Sequence, residues 1–171
     1  MDTRLLADHI PSLRRYARAL TGNAWAADDL VQDTLERACS KWRLWVVGSD
    51  LRAWLFTVMH NIFASQVRRA PAPHSVVSLD DTDHALHGGI DPGREPGAAL
   101  DLQRCLMRLP EEQRAVLLLV TLEDLSYAEV AKVLGVPAGT VMSRLSRARV
   151  RLQELLDGAA APQRPGLRRL K

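Results

Sequence analysis

From Leu125 to Leu156 the chain reads LSYAEVAKVLGVPAGTVMSRLSRARVRLQELL, two helical signals separated by a glycine stop. Ser126-Tyr127-Ala128-Glu129 has the form of a capping box. In it the Ser126 hydroxyl accepts from the Glu129 amide, and the Glu129 carboxylate returns to the Ser126 amide. Ala128, Val130, Ala131 and Leu134 give the first helix its apolar side, Gly135 is the expected left-handed stop, and Pro137 bars continuation. Thr140 is expected to cap the second helix. There Val141, Leu145, Ala148, Leu152 and Leu155 recur at the helical period and form one buried stripe. Thr140, Ser143, Arg144, Arg147 and Arg151 fall together on a neighbouring face, and Arg149 completes a set of four arginines. A helix that reads duplex DNA needs this division, because one face packs on its own domain while another enters the major groove. Arginine there makes bidentate contacts to guanine or clamps phosphate, and serine and threonine reach either base type. A solvated basic face on a helical hairpin is the plainer alternative. The coincidence of capping box, glycine turn and arginine face at this spacing favours the DNA reader.

The 171 residues hold one medium domain or two small ones with modest cores. The net charge of +3 is mild, but its distribution is informative. Residues 1–69 carry ten Lys/Arg against seven Asp/Glu, residues 70–98 one against five, and residues 99–171 twelve against eight. Two basic blocks flanking an acidic connector suit two DNA-facing modules better than one uniformly basic surface. Cys39 and Cys105 lie in helical apolar patterns and read as two buried thiols in a reducing cytoplasm rather than a disulfide. His84 and His87 stand three apart in a polar loop, a poor metal site, and no cofactor is expected. No apolar run reaches membrane-spanning length and no signal-peptide pattern opens the chain, so a cytoplasmic protein without membrane insertion is expected.

Outside the connector nearly everything follows a helical period, which predicts an all-α fold of two small helical domains joined by a flexible acidic linker. A first helix is expected over about Arg4–Leu20. Asn23 then caps a second, with Ala27, Leu30, Val31, Leu35 and Ala38 on one side and Asp28, Asp29, Asp33 and Glu36 on its polar surface. The loop KWRLWVVGS follows, and Ser49 or Asp50 starts a third helix with Leu51, Trp54, Leu55, Val58 and Ile62 as its stripe, ending at Arg68-Arg69. These form an N-terminal bundle over residues 1–69. Residues 70–98, with four prolines and four glycines, read as the interdomain linker; within them Ser75–Leu79 has strand-like character. The helix-turn-helix domain occupies 99–158, with Pro110 at the first position of a helix whose early turn carries Glu111 and Glu112. Residues 159–171 make a frayed basic tail.

YARALTGNAWAADDLVQDTLERA, LRAWLFTVMHNIFASQVRR and LPEEQRAVLLLVTLEDLSYAEVAKVLGVPAGTVMSRLSRARVRL together resemble regions two and four of extracytoplasmic-function sigma factors of bacterial RNA polymerase. The resemblance covers about residues 10–156 apart from the linker, with both halves in the right order. It implies that Asp28, Asp29, Leu30, Gln32, Asp33 and Glu36 dock on the polymerase clamp, where an acidic face beside leucines suits a basic helical partner. It also implies that Trp42, Arg43, Trp45, Asn61, Arg68 and Arg69 hold melted minus-ten DNA. Unstacked bases need stacking and hydrogen-bonding partners, which tryptophan and asparagine supply. For Trp42 and Trp45 base contact and core packing are both open; for Trp54 packing wins. Minus-35 DNA falls to Thr140, Ser143, Arg144, Arg147, Arg149 and Arg151. Two positions depart from the family pattern. Ser65 stands where an acid is common, which departs from the family's salt-bridge arrangement in the third helix. Met142 stands where a basic residue is common, which suggests one fewer phosphate or base contact and a contact to a thymine methyl instead.

The implied partners are core RNA polymerase through its clamp and flap, promoter DNA and an anti-sigma protein, with the linker running towards the polymerase active centre. A stand-alone helix-turn-helix regulator that binds duplex DNA as a dimer is the rival reading, and it leaves DDLVQDT and the tryptophan loop unexplained. An enzyme is not expected, since no HExxH, phosphate loop or supported Ser-His-Asp set occurs.

Overall fold

The computed structural model describes residues 3–42, 45, 50–69 and 96–160. Among them are eight helices and no strand: α1 (Thr3–Ala7), α2 (Ile10–Thr21), α3 (Ala24–Ser40), α4 (Leu51–Arg69), α5 (Pro96–Met107), α6 (Glu111–Thr121), α7 (Tyr127–Leu134) and α8 (Ala138–Ala160). Arg43, most of the expected linker with Ser75–Leu79, His84 and His87, and the tail beyond Ala160 lie outside the described residues.

Local chemistry accounts for most helix ends. The Asn23 side chain accepts from the Ala26 amide at 2.9 Å and starts α3. Asp50 Oδ1 accepts from the amides of Arg52 (2.9 Å) and Ala53 (3.2 Å), so Asp50, of the two residues expected, caps α4. Four boundaries differ from the sequence reading. The single first helix is two, because Pro11 sits in the opening turn of α2, where its fixed φ starts a helix better than it continues one. Pro96 likewise opens α5 three residues inside the expected linker. Thr140 is not the cap of α8: that helix begins at Ala138, and the Pro137 carbonyl accepts from the amides of Thr140 (2.9 Å) and Val141 (3.2 Å). At its other end α8 runs on to Ala160, two residues into the expected tail.

Each half supplies apolar stripes to one continuous core. Leu13, Tyr16 and Leu20 of α2 meet Leu30 of α3 and Leu55, Phe56 and Met59 of α4, all fully buried. Val116 and Leu119 of α6, Val130 of α7 and Val141 of α8 continue it. The two modules pack on one another, α2 against α5 and α6, and α4 against α7. Gly22 shows how close they come. It ends α2 with φ +69°, and a Cβ there would lie 2.6 Å from the sulfur of Met107 on α5. Cys39 is exposed rather than buried, because it falls just outside the stripe that ends at Ala38; Cys105 is buried, and both are free.

Tyr16 is an exception to polar pairing. Its ring meets Phe56 edge to face at 5.3 Å, yet its buried hydroxyl has no partner among the described residues. Burial pushes its phenol far above the ordinary range. Since that hydroxyl lost its hydrogen bonds to water on folding, Tyr16→Phe is expected to leave stability unchanged or raise it by about 1 kcal/mol. Urea unfolding checks this; a loss above about 1 kcal/mol would show a hydrogen bond that the packing does not reveal.

Candidate nucleic-acid interface

The helix-turn-helix forms as its local signals dictate. Glu129 Oε2 accepts from the Ser126 amide at 2.7 Å and from its hydroxyl at 2.6 Å, while the Glu129 amide donates to Ser126 Oγ at 3.3 Å. The Ser126 hydroxyl and then the amide hold the Glu129 carboxyl below its ordinary range. Gly135 ends α7 at φ 65°. Along α8, Val141, Leu145 and Ala148 are buried, which turns the arginine face outward. Arg147, Arg149 and Arg151 are exposed, and Thr140 and Ser143 half-buried. The Arg147 guanidinium donates to the Ser143 carbonyl and hydroxyl, both at 3.3 Å, which holds it along the helix surface. Arg144 differs. It pairs with Glu112 of α6 at 2.7 Å with only 22% of its side chain exposed, and it borders a cavity of about 300 Å³ whose other wall is α4.

The second site is a groove of about 510 Å³ between α3 and α4. Asn61, Arg68 and Arg69 line it from α4. Arg37 of α3 and Lys41, which caps that helix, face them; the sequence reading named neither as a DNA contact, although Lys41 opens the KWRLWVVGS loop. The signal for them in the sequence is a pair of cations at the close of the helix that carries the acids. Ser65 also lines the groove, where a hydroxyl in place of an acid leaves the positive charge less opposed. Among the described residues Asp33 is its one acid, and Gln66 donates to it at 3.4 Å.

The residues of α3 expected to dock on the polymerase divide. Asp28, Asp29, Gln32, Asp33 and Glu36 are exposed, with Asp28 paired to Arg14 at 3.3 Å and Gln32 to Glu36 at 3.0 Å. Leu30 is fully buried in the bundle, so it anchors α3 and offers a partner nothing. Of the open alternatives for the tryptophans, packing fits better. Trp42 lies 5.1 Å from Trp45 and 6.5 Å from Trp54 between ring centroids, and all three are half-buried against the core. Among the described residues no cluster of His, Cys, Asp or Glu can hold a metal ion, and no helix is long and apolar enough to cross a membrane.

His60 of α4 sits at the seam between the modules. Burial lowers its pKa below the ordinary value of about 6.5, Arg144 and Arg68 lower it further, and Glu112 opposes them. The folded protein thus resists protonation that the unfolded chain accepts. Stability is expected to be complete above about pH 6.5 and to fall as pH drops from there towards the depressed folded value. Urea midpoints at several pH values measure this, and His60→Gln should flatten the profile in that window. An unchanged profile in the variant would assign the titration elsewhere.

An all-helical chain with a cationic groove in one module and an arginine-faced helix-turn-helix in the other defines a DNA-reading protein of two modules. The profile described as the Sigma2 domain of PhyR matches residues 6–60, and that of Sigma-70, region 4 matches residues 99–152. The chain is 40% identical to the ECF RNA polymerase sigma factor EcfG of Rhodopseudomonas palustris over 153 residues, covering 88% of this chain and 83% of that protein. It is 35% identical to the ECF RNA polymerase sigma factor SigM of Mycobacterium tuberculosis, covering 90% of this chain and 76% of that one. The fold is similar to the sigma factor RpoE of Bartonella quintana, solved in complex with the anti-sigma factor NepR: TM-score 0.71, 34% identity, 91% of this chain and 96% of that one. This chain belongs to the extracytoplasmic-function family of RNA polymerase sigma factors.

Proposed function

We propose that the chain directs core RNA polymerase to promoters through three surfaces, the first two of which meet at Asp33. The exposed acids of α3, Asp28, Asp29, Asp33 and Glu36 with Gln32, dock on the polymerase, where carboxylates meet a basic partner and set orientation more than raw affinity. The groove between α3 and α4 takes melted minus-ten DNA. Arg37, Lys41, Arg68 and Arg69 hold phosphates, and exposed Asn61 offers its amide to an unpaired base edge. Trp42 and Trp45 serve by bracing that bundle. Arg144, Arg147, Arg149 and Arg151, with Thr140 and Ser143, read minus-35 duplex. The protein supplies binding and selection, the polymerase supplies the chemistry, and the place of work is the cytoplasm. RpoE is seen bound to an anti-sigma factor, and a partner of that kind holds this chain inactive.

The observation that carries the reading is the pairing in one chain of a groove lined by Arg37, Lys41, Arg68, Arg69 and the exposed Asn61 amide with an arginine-faced reading helix. Its test is transcription of fragmented bacterial DNA by core polymerase, with and without the chain, mapping RNA 5′ ends. New starts sharing two upstream motifs at fixed spacing are expected. If a folded chain and active core enzyme give no new starts, the reading is wrong.

A further inference from the structure

The turn between α6 and α7 places Glu123 where the two modules meet. Its side chain is fully buried, unlike the exposed acids around it. Arg15 of α2 donates to the carboxylate through Nε at 3.1 Å and Nη2 at 3.0 Å, and Arg52 of α4 through Nη2 at 2.9 Å. Arg15 also reaches the Leu122 carbonyl at 3.4 Å, and Arg52 the carbonyl of Glu123 itself. Asp124 follows in the left-handed region at φ 52°, which turns the chain so that Glu123 points inward. One acid from the C-terminal module is therefore held by two arginines from the N-terminal one.

This arrangement has the energetics of a switch. A carboxylate taken from water is tolerated only when fully paired, as Glu123 is. Its partners, however, keep contact with water: the Arg15 side chain is 53% exposed and that of Arg52 32%. On separation all three groups regain hydration, which offsets much of the attraction lost between them, so removing one partner weakens closure more than the pair as a whole supports it. Closure also bears on DNA reading. In a helix-turn-helix the first helix crosses the duplex backbone, but here α7 lies against α4. Arg144, at the start of the reading helix, is drawn to Glu112 at the same seam.

We propose that Glu123, Arg15 and Arg52 form an autoinhibitory clasp that keeps the free chain closed, with α7 and Arg144 withdrawn from duplex DNA. Its consequence for DNA rests on the minus-35 reading of α8; the clasp itself does not. The test places spin labels at exposed Cys39 and at Val150→Cys on the outer face of α8, with buried Cys105→Ala to leave one pair. Pulsed electron resonance then gives the distance distribution of the full chain. One short distance is expected with Glu123 present. Glu123→Gln, and separately Arg15→Gln with Arg52→Gln, should raise the long-distance population at least about threefold while the helical circular dichroism is retained. Gel shift with minus-35 duplex should rise by a similar factor in the opened variants. An unchanged distribution in both folded variants, or a mainly open parent chain, would overturn the clasp. Opening without gain in duplex binding overturns the occlusion if Arg147→Ala still weakens that binding. If Arg147→Ala has no effect either, the failure belongs to the minus-35 reading.

Discussion

Arg147→Ala is expected to lower transcription from a minus-35-dependent promoter by about ten- to hundredfold while leaving affinity for core polymerase unchanged. The size follows from what one arginine supplies at a base edge or phosphate, about 1–3 kcal/mol where contact is bidentate. The specificity follows from position. Arg147 is exposed on α8, and Ser143 holds its guanidinium along the helix face before any DNA arrives, so less freedom is lost on binding. It makes no ion pair among the described residues, so alanine there breaks nothing in the fold. Arg144→Ala is a poorer probe, since it also removes the partner of Glu112 at the seam between the modules. Run-off transcription on promoters with and without a minus-35 element, beside a binding titration with core enzyme, gives the answer. An equal loss on both promoters, or a loss of polymerase affinity, would mean that α8 does not divide its labour from α3 in this way.

Arg114→Leu is expected to cost about 3 kcal/mol of stability, a large part of what a chain this size has. Arg114 is 4% exposed, and its Nη1 faces the carbonyls of Leu106, Met107 and Leu109 at 3.4, 3.3 and 3.5 Å. Those carbonyls close α5 and the turn into α6; the Leu106 oxygen also accepts from the Leu109 amide at 3.1 Å, while among the described residues the Met107 and Leu109 oxygens have only Arg114. Burial lowers the Arg114 pKa, with Glu111 opposing, but a guanidinium starts so far above neutrality that it stays charged. Leucine fills the space with apolar atoms and takes the hydrogen-bond partner from the Met107 and Leu109 oxygens, which outweighs the gain from burying a hydrocarbon side chain. Arg114→Lys should fall between, since an ammonium is a point charge without the planar fork. Urea unfolding followed by circular dichroism measures both. A loss below about 1 kcal/mol for leucine would show that water replaces the guanidinium at α5.

The elements legible in the sequence are those whose cause lies within a few residues. The capping box of α7 needs only Ser126 and Glu129, the left-handed stop only Gly135, and the start of α3 only Asn23. The apolar stripe of α8 appears because burial at one helix face leaves a period in the chain itself. Helix starts at Pro11, Pro96 and Pro137 were less legible, since proline opens a helix as readily as it stops one. Arg37 and Lys41 escaped for another reason. A cation at a helix end reads as solvated until a second helix, here α4, faces it across a groove.

What the sequence by itself determined is therefore the set of helices, their buried faces, the arginine face of α8 and the acidic face of α3. The tertiary structure alone decided which members of those faces are available. It buried Leu30, exposed Cys39, packed Trp42 and Trp45 against the core, tied Arg144 to Glu112 and closed two modules around Glu123. In the sequence Glu123 is one acid in a polar turn, and its partners Arg15 and Arg52 stand 108 and 71 residues away. Periodicity reports only neighbours along one helix. A charge that is buried because two helices from the other module converge on it leaves no trace in the residues beside it.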